Sequence, residues 1–379
     1  MSLLGIHLTL LMGKKVPIPV PPSLMTALES CEVTNKDDAR SAFQLIFRLH
    51  RSTSNFLDYA ALLNPQFRVG NRVLMTVTMG AIPRVLMDGI ITNQQLSPGS
   101  GDEPTRLTIT GEDVSVMMDK DEVQTEHPAQ PENVIALKLI AKYAEYGMIP
   151  LVIPPKFFDI PIPTDRTPQQ DGKTDYAYLS ELATHHDYVF YVLPGPLPLT
   201  NRAYWGPSIR AGIPQRALSI DMGPETNVES INFQNDALSP ATFSGNVQDR
   251  STNQTMPVQT FLSLRIPLAT QTLLTQSDFV RRRILRASGG ETFAQAQGRA
   301  QAETDAAAEA VTVEGELNAA RYGDILSARG LVGLRGAGYS YDGLYYVKEV
   351  THKLAAGDYK QAFKLTREGL GSTVPIVRT

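Results

Sequence analysis

Short runs of alternating apolar and polar residues open the chain. Ile6, Leu8 and Leu10 alternate with His7 and Thr9, and Phe43, Leu45, Phe47 and Leu49 interleave with Gln44 and Arg48. Val73, Met75, Val77 and Met79 repeat the rule, as do Val85 to Ile91 and Leu107 to Ile109. Successive strand side chains point to opposite faces, so each run predicts a half-buried strand. Pro17, Pro19 and Pro21 alternate with Ile18 and Val20. Prolines two apart remove donors from one side of a strand only, which predicts an edge or an extended arm. Ser54 to Leu63 predicts a short capped helix closed before Pro65. Ser97 to Pro104 is a turn-rich loop.

The period changes in the middle third. Pro131 opens a helix with Val134, Leu137, Ala141 and Ala144 on one face, and Gly147 stands where a left-handed cap belongs. Thr174 or Asp175 then caps a second helix carrying Tyr178, Leu179, Leu182 and Ala183 at helical spacing, followed by an apolar strand from Tyr188 to Leu193. Strands return from Ala217. Ser277 predicts the cap of a helix over Asp278 to Ser288, and an alanine-rich segment runs from Glu291 to about Val311. That segment has no wide apolar stripe, so it predicts a solvated helix or one that orders in an assembly. The end reads as a β-meander: Leu331 to Arg335, a turn at Asp342-Gly343, Leu344 to His352, a turn at Ala355 to Asp358, and Tyr359 to Arg367. No repeat of fixed short period occurs, which argues against solenoids and propellers. The pattern predicts an α+β, mainly β protein. Its expected parts are a β domain over 1–125, an α/β domain over 126–213, and a second β domain over 214–379 with a helical insertion at 277–311.

Composition narrows the function. The chain has 379 residues, enough for two or three cores, with 42% hydrophobic and 20% charged residues. A net charge of −4 gives the whole molecule no attraction for polyanions, so no nucleic-acid contact is expected. The single cysteine, Cys31, excludes an intramolecular disulfide and a cysteine-rich zinc site. The apolar start lacks a basic region before it, with Lys14 and Lys15 following instead, so a chain made in the cytoplasm without a signal peptide is expected. No apolar run approaches the roughly 18 residues of a membrane span.

No active site is legible. His185 and His186 are adjacent on a predicted helix and point about 100° apart, whereas a helical zinc pair needs a spacing of three or four. Gly333, Gly336, Gly338 and Gly343 precede a strand where a phosphate loop needs a helix, and they read as hairpin punctuation. Acids such as Glu112-Asp113, Asp119 and Asp121 read as turn residues. Arg281, Arg282, Arg283 and Arg286 form the one basic cluster, with two readings: a solvated face or a protein-docking site. No catalytic residue, cofactor or metal is expected.

Several stretches together resemble a known family. They are Phe67-Arg68-Val69-Gly70 with Met87-Asp88-Gly89-Ile90-Ile91, Thr108 to Asp113, and Thr174 to Ala183. Glu314 to Leu317, Arg321-Tyr322-Gly323, Gly343 to Val347, Val350-Thr351-His352 and Gln361 to Gly369 complete the set. In this order the chain resembles the late control protein D family of contractile phage tails, the baseplate hub, and the hub part of VgrG-like type VI secretion spike proteins. The resemblance spans about residues 30 to 372. It implies two domains folded like a tail-tube subunit, as barrel or sandwich, so that three chains build a pseudo-hexameric ring. It also implies a structural homotrimer, a virion or injection-particle component that joins a sixfold inner tube to a threefold spike among other baseplate subunits. Fused spike proteins continue into a needle, whereas this sequence stops at Thr379, so a separate trimeric spike protein is the expected partner. The tail beyond Gly369 reads as flexible at its glycines and then apolar again, which makes Val374, Ile376 and Val377 candidate docking residues. The alternatives are a tail-associated cell-wall hydrolase, which would need two convergent carboxylates, and a simple tail-tube or adaptor protein.

Overall fold

The structure, a computed structural model, describes residues 5–49, 62, 64–100, 103–155, 168–195, 197–276, 278–286 and 290–374. The helix expected over 54–63 lies, apart from Leu62, outside the described residues, as do the expected cap Ser277 and the residues 287–289.

Thirteen strands form one continuous sheet. In spatial order its first half is Leu28–Lys36, Ala42–Leu49, Thr105–Asp113, Ile82–Ser97, Arg72–Met79 and His7–Gly13, ending on Ile18–Pro19. The alternating runs behave as their period requires: Phe43, Leu45, Phe47, Val73, Met75, Val77, Leu107 and Ile109 all enter one core. Pro19 sits at the open end of the sheet, where a missing donor costs nothing. The second half contains Val228–Asn235, Val311–Asn318, Asp358–Arg367, Gly343–Ala355, Leu331–Arg335 and Gln215–Ser219 around a separate core that includes Val313, Leu334, Tyr345 and Phe363. The two halves meet where Gly343–Ala355 pairs antiparallel with Leu28–Lys36, from Glu349↔Lys36 to Ala355↔Ser30. Each half has one long strand, Ile82–Ser97 or Gly343–Ala355, whose register shifts part-way. Such a shift bends the strand and lets it pair on both sides of a curved sheet.

The α/β part packs two helices, Glu132–Ala141 and Asp175–Thr184, on a sheet of Tyr188–Pro194, Asn201–Pro207 and the parallel strand Met148–Val152. Thr174 caps the second helix by accepting from the Ala177 amide at 3.2 Å, and Tyr178, Leu179, Leu182 and Ala183 are buried as expected. The first helix buries a different face from the expected one. Ile135, Ala136, Leu139 and Ile140 enter the core, while Val134 and Leu137 are exposed. Both faces are apolar in the sequence, and the position of Trp205 and Tyr178 chooses between them.

The arginine cluster is not helical. Arg281–Ile284 is a strand, parallel to Ala241–Gln248, which also pairs with Thr255–Gln259. Arginine, leucine and alanine favour helix locally, but Leu285 fills a core with Phe243, Val247 and Val258, and an open edge beside Ala241 takes the segment into extended form. The helical insertion is therefore narrower than expected, its long helix being Phe293–Ala307. That helix is neither bare nor loosely held. Thr292 and Gln295 form a reciprocal capping box, and Ala296 and Ala300 lie fully buried against the three-stranded sheet. Alanine makes a narrow face adequate, because a small side chain lets helix and sheet close tightly and loses no rotamer entropy. Thr304 and Thr260 share a hydrogen bond of 2.6 Å across the contact, and Gln301 donates to the Leu262 carbonyl at 2.8 Å.

The glycines after Arg367 also act differently from expectation. Gly369–Ser372 is a strand paired with Ala269–Thr272. A Cβ on Gly369 would collide with the Gln271 carbonyl, so this glycine serves close backbone approach, not a loose joint.

The fully buried Ala300 gives a direct check on the packing. Ala300→Leu forces added volume between helix and sheet and is expected to lower stability by about 1–3 kcal/mol, read as a lower chemical-denaturation midpoint.

Candidate assembly surfaces

Several buried charged side chains form joints between the parts of the fold. Arg329 is fully enclosed and has a left-handed backbone, φ 68°. It donates to the Lys36 carbonyl at 2.8 Å, to Ser41 Oγ at 2.9 Å and to the Val192 carbonyl at 3.3 Å, with its guanidinium 4.2 Å from the centre of the Tyr191 ring. One arginine of the second half thus holds the first half and the α/β part together. Arg72 makes a fork onto Asp88 at 2.7 and 2.6 Å and also donates to the Tyr146 carbonyl at 2.9 Å, while Asn201 donates to Asp88 at 2.9 Å.

A larger charge network anchors the insertion. Arg265 grips Asp187 through two bonds of 2.5 Å and reaches Glu309 at 2.8 Å. Arg210 bridges Glu309 and Glu368, each at 2.9 Å. Burial alone would raise the Glu309 carboxyl, but Arg265, Lys348 and Arg210 outweigh it and hold the group down at about 2.

The histidine pair has a structural use. His185 Nδ1 and His186 Nε2 meet the two oxygens of Glu132 at 3.0 and 2.8 Å, tying the end of one helix to the start of the other. The Glu132 hydrogen bond raises the His185 pKa, and despite burial the two imidazoles hold Glu132 at about 2. His352 is enclosed beside Tyr359, at 2.8 Å from its hydroxyl, and burial pushes its pKa down to about 3. Of the acids read as turn residues, Glu112 and Asp113 lie instead at the end of the strand Thr105–Asp113. Arg40 pairs with Glu112 at 2.8 Å and Asp119 at 2.7 Å, Asp113 accepts from the Ser41 and Ser115 amides, and Asp121 is exposed. Among the described residues no three or more potential metal ligands converge, and no helix is long and apolar enough to cross a membrane.

What faces outward is a set of surfaces. Arg281, Arg282, Arg283 and Arg286 are exposed, and their side chains have no ion-pair or hydrogen-bond partner among the described residues. Val374 is half-buried beside the Gly369–Ser372 strand and bonds locally to Ser372, whereas Ile376 and Val377 lie outside the described residues. The structure therefore does not bring the arginines and the tail into one site. It adds a surface that the sequence pattern did not single out: Phe261, Leu262, Leu264 and Ile266 are exposed, from 54% to 66%. Their backbone is pinned by Gln301 and by Asp305, which accepts from the Leu264 amide at 2.7 Å. Apolar residues in sequence signal burial by default, so the residue pattern carried no sign of this surface.

No protein-family model and no curated protein sequence matches the chain. Solved structures do. A tail protein from Neisseria meningitidis MC58 superposes with a TM-score of 0.67 at 13% identity, covering 97% of this chain and 98% of that one. The 43 kDa tail protein of prophage MuSo2 from Shewanella oneidensis gives 0.67 at 12% identity, covering 96% and 99%. This chain has a phage tail-protein fold. A type VI secretion component of E. coli, c3393, described as similar to the phage T4 tail proteins gp27 and gp5, shares the tail-protein fold at a TM-score of 0.54 and 11% identity over 89% of this chain and 73% of that one.

The charge network of this tail-protein fold dictates an acid response. The Glu309 pKa is depressed in the folded state, so its stabilisation is complete above its ordinary value of 4.5 and is lost as pH falls towards about 2. Glu309→Gln is expected to cost about 1–3 kcal/mol at neutral pH and to flatten the fall in melting temperature between those two pH values. Calorimetry across that range checks it, and an unchanged acid slope would contradict it.

Proposed function

We propose that this chain is the structural baseplate hub of a phage tail or contractile injection system, a homotrimer that joins a sixfold inner tube to a threefold spike. The observation that carries the proposal is the sheet itself. Two halves of seven and six strands, each with its own core and its own long, bulged strand, are joined edge to edge within one chain. Three copies would present six such halves to a tube while remaining threefold towards a spike, a symmetry that closes without a further partner. Likeness to tail proteins along nearly the full length of both chains supports a tail-associated role. The similar fold in a structure titled as a Francisella PdpA–VgrG complex, at a TM-score of 0.56 and 10% identity, supports a place beside spike components.

In this reading the halves of the long sheet are the tube-like domains, and the α/β part and the insertion are the surfaces that meet neighbours. The role is scaffolding, not catalysis. Arg329 and Arg265, for example, are used in internal joints.

Oligomeric mass tests the proposal. Mass photometry of the full chain, alone and co-expressed with a candidate trimeric spike protein, is expected to show three copies, and a strictly monomeric chain in both preparations would overturn it. The tail forms a second check. Val374, with Ile376 and Val377, is assigned to the spike junction, so deleting residues 374–379 is expected to leave a folded chain that recovers several-fold less spike in a pull-down. Equal recovery would remove that assignment.

A further inference from the structure

Among the described residues the three-stranded sheet of the insertion has one blunted edge and one open edge. On the Thr255–Gln259 side the Thr260 amide bonds the Phe243 carbonyl, so residues 260, 258 and 256 turn their backbone inward. Pro257 is thereby left facing outward with no donor to offer, a blunted edge. On the opposite side the Arg281 amide bonds the Pro240 carbonyl and the Leu285 amide bonds the Ser244 carbonyl. By alternation Arg282 and Ile284 point their N–H and C=O groups away from the sheet, and no proline protects them. On the outer face of this edge stand Arg282, Ile284 and Arg286, all exposed.

A second unpaired edge has the opposite charge. Glu122–Glu126 pairs only with Gln169–Thr174 among the described residues. The His127 amide bonds the Pro168 carbonyl, so His127 and Thr125 face that partner while Gln124 and Glu126 turn their backbone groups outward. Glu122, Gln124 and Glu126 are exposed on one face, and neither glutamate has an ion pair among the described residues.

We propose that these edges pair with each other between copies of this chain: Glu122–Glu126 of one protomer adds as an antiparallel strand to Arg281–Ile284 of the next. The register follows from the residues. Arg282 meets Glu126, Ile284 meets Gln124, and Arg286 meets Glu122, so two charges four residues apart meet two opposite charges at the same spacing. Leu285, on the other face, comes opposite Val123. Antiparallel geometry is required, because only there do directly opposed residues exchange both hydrogen bonds, matching the outward groups of Arg282 and Ile284 with those of Glu126 and Gln124. In a parallel pair an outward-facing residue bonds to the two flanking its opposite number, which would put the arginines against Val123 and Thr125. Two different patches are joined, so the contact is heterologous, and with the threefold rotation of the proposed trimer it closes as a ring. The inference rests on the trimer proposed above and deepens it by naming a seam. A charged edge also rejects uncharged strands, which makes the pairing selective.

The test uses the full chain carrying Gln124→Cys and Ile284→Cys. Directly opposed residues of an antiparallel pair lie within disulfide reach, and the native Cys31 is buried and silent. Mild oxidation is expected to give a covalent band of three chains that vanishes on reduction, while either single variant stays at one chain. Charge reversal is the second arm. Glu122→Arg with Glu126→Arg, or Arg282→Glu with Arg286→Glu, is expected to raise the concentration needed for trimer at least tenfold, and combining all four to restore it. A chain that trimerises as wild type, while its double-cysteine variant does not cross-link and its charge reversals leave the trimer unchanged, overturns this seam and leaves the trimer standing. A wild-type chain that never trimerises overturns both.

Discussion

A fully enclosed guanidinium must find an acceptor for nearly every donor it carries, and Arg329 finds them on two different parts of the fold, the first half of the long sheet and the α/β part. Hydrogen bonds from a charged group are worth about 1.5–3 kcal/mol each, and a buried charge deprived of them costs more than the bond returns. The Lys36, Ser41 and Val192 positions therefore have one arrangement that satisfies the arginine. Everything outboard depends on it. The pairing of Gly343–Ala355 with Leu28–Lys36 runs directly beside this joint, and the tyrosine under the guanidinium belongs to the α/β sheet.

The same economy recurs at the insertion. Arg265 and Arg210 are held by Asp187, Glu309 and Glu368, so the segment between Thr260 and Leu268 is fixed at its charged residue while its apolar neighbours face out. Apolar side chains on a pinned backbone lose little entropy on binding, which suits a docking ridge better than a loose loop would.

Much of the framework was legible in order and in period. The alternation of Phe43, Leu45 and Phe47, the prolines at the sheet's end, the Thr174 cap and the closing meander follow from residue type, because strand period, donor loss and capping act within a few residues. The resemblance over the whole chain pointed to the tail-protein fold that the solved structures share. The arginine run was legible as a cluster but not as a strand. Its own residues favour a helix, and only Leu285 entering the core with Phe243 decides for an edge.

The sequence by itself determined which segments are strands over most of the sheet and that the chain is mainly β. Only the tertiary structure decided which face of Glu132–Ala141 is buried, that an alanine face suffices for Phe293–Ala307, and that Gly369 marks close approach. It alone decided that Arg329, Arg265 and Arg72 act as joints and Arg281 to Arg283 as surface. The physical reason is range. Period and capping are set by neighbours along the chain, whereas the fate of a charge or a small residue depends on what lies across a contact, often more than a hundred positions away in sequence.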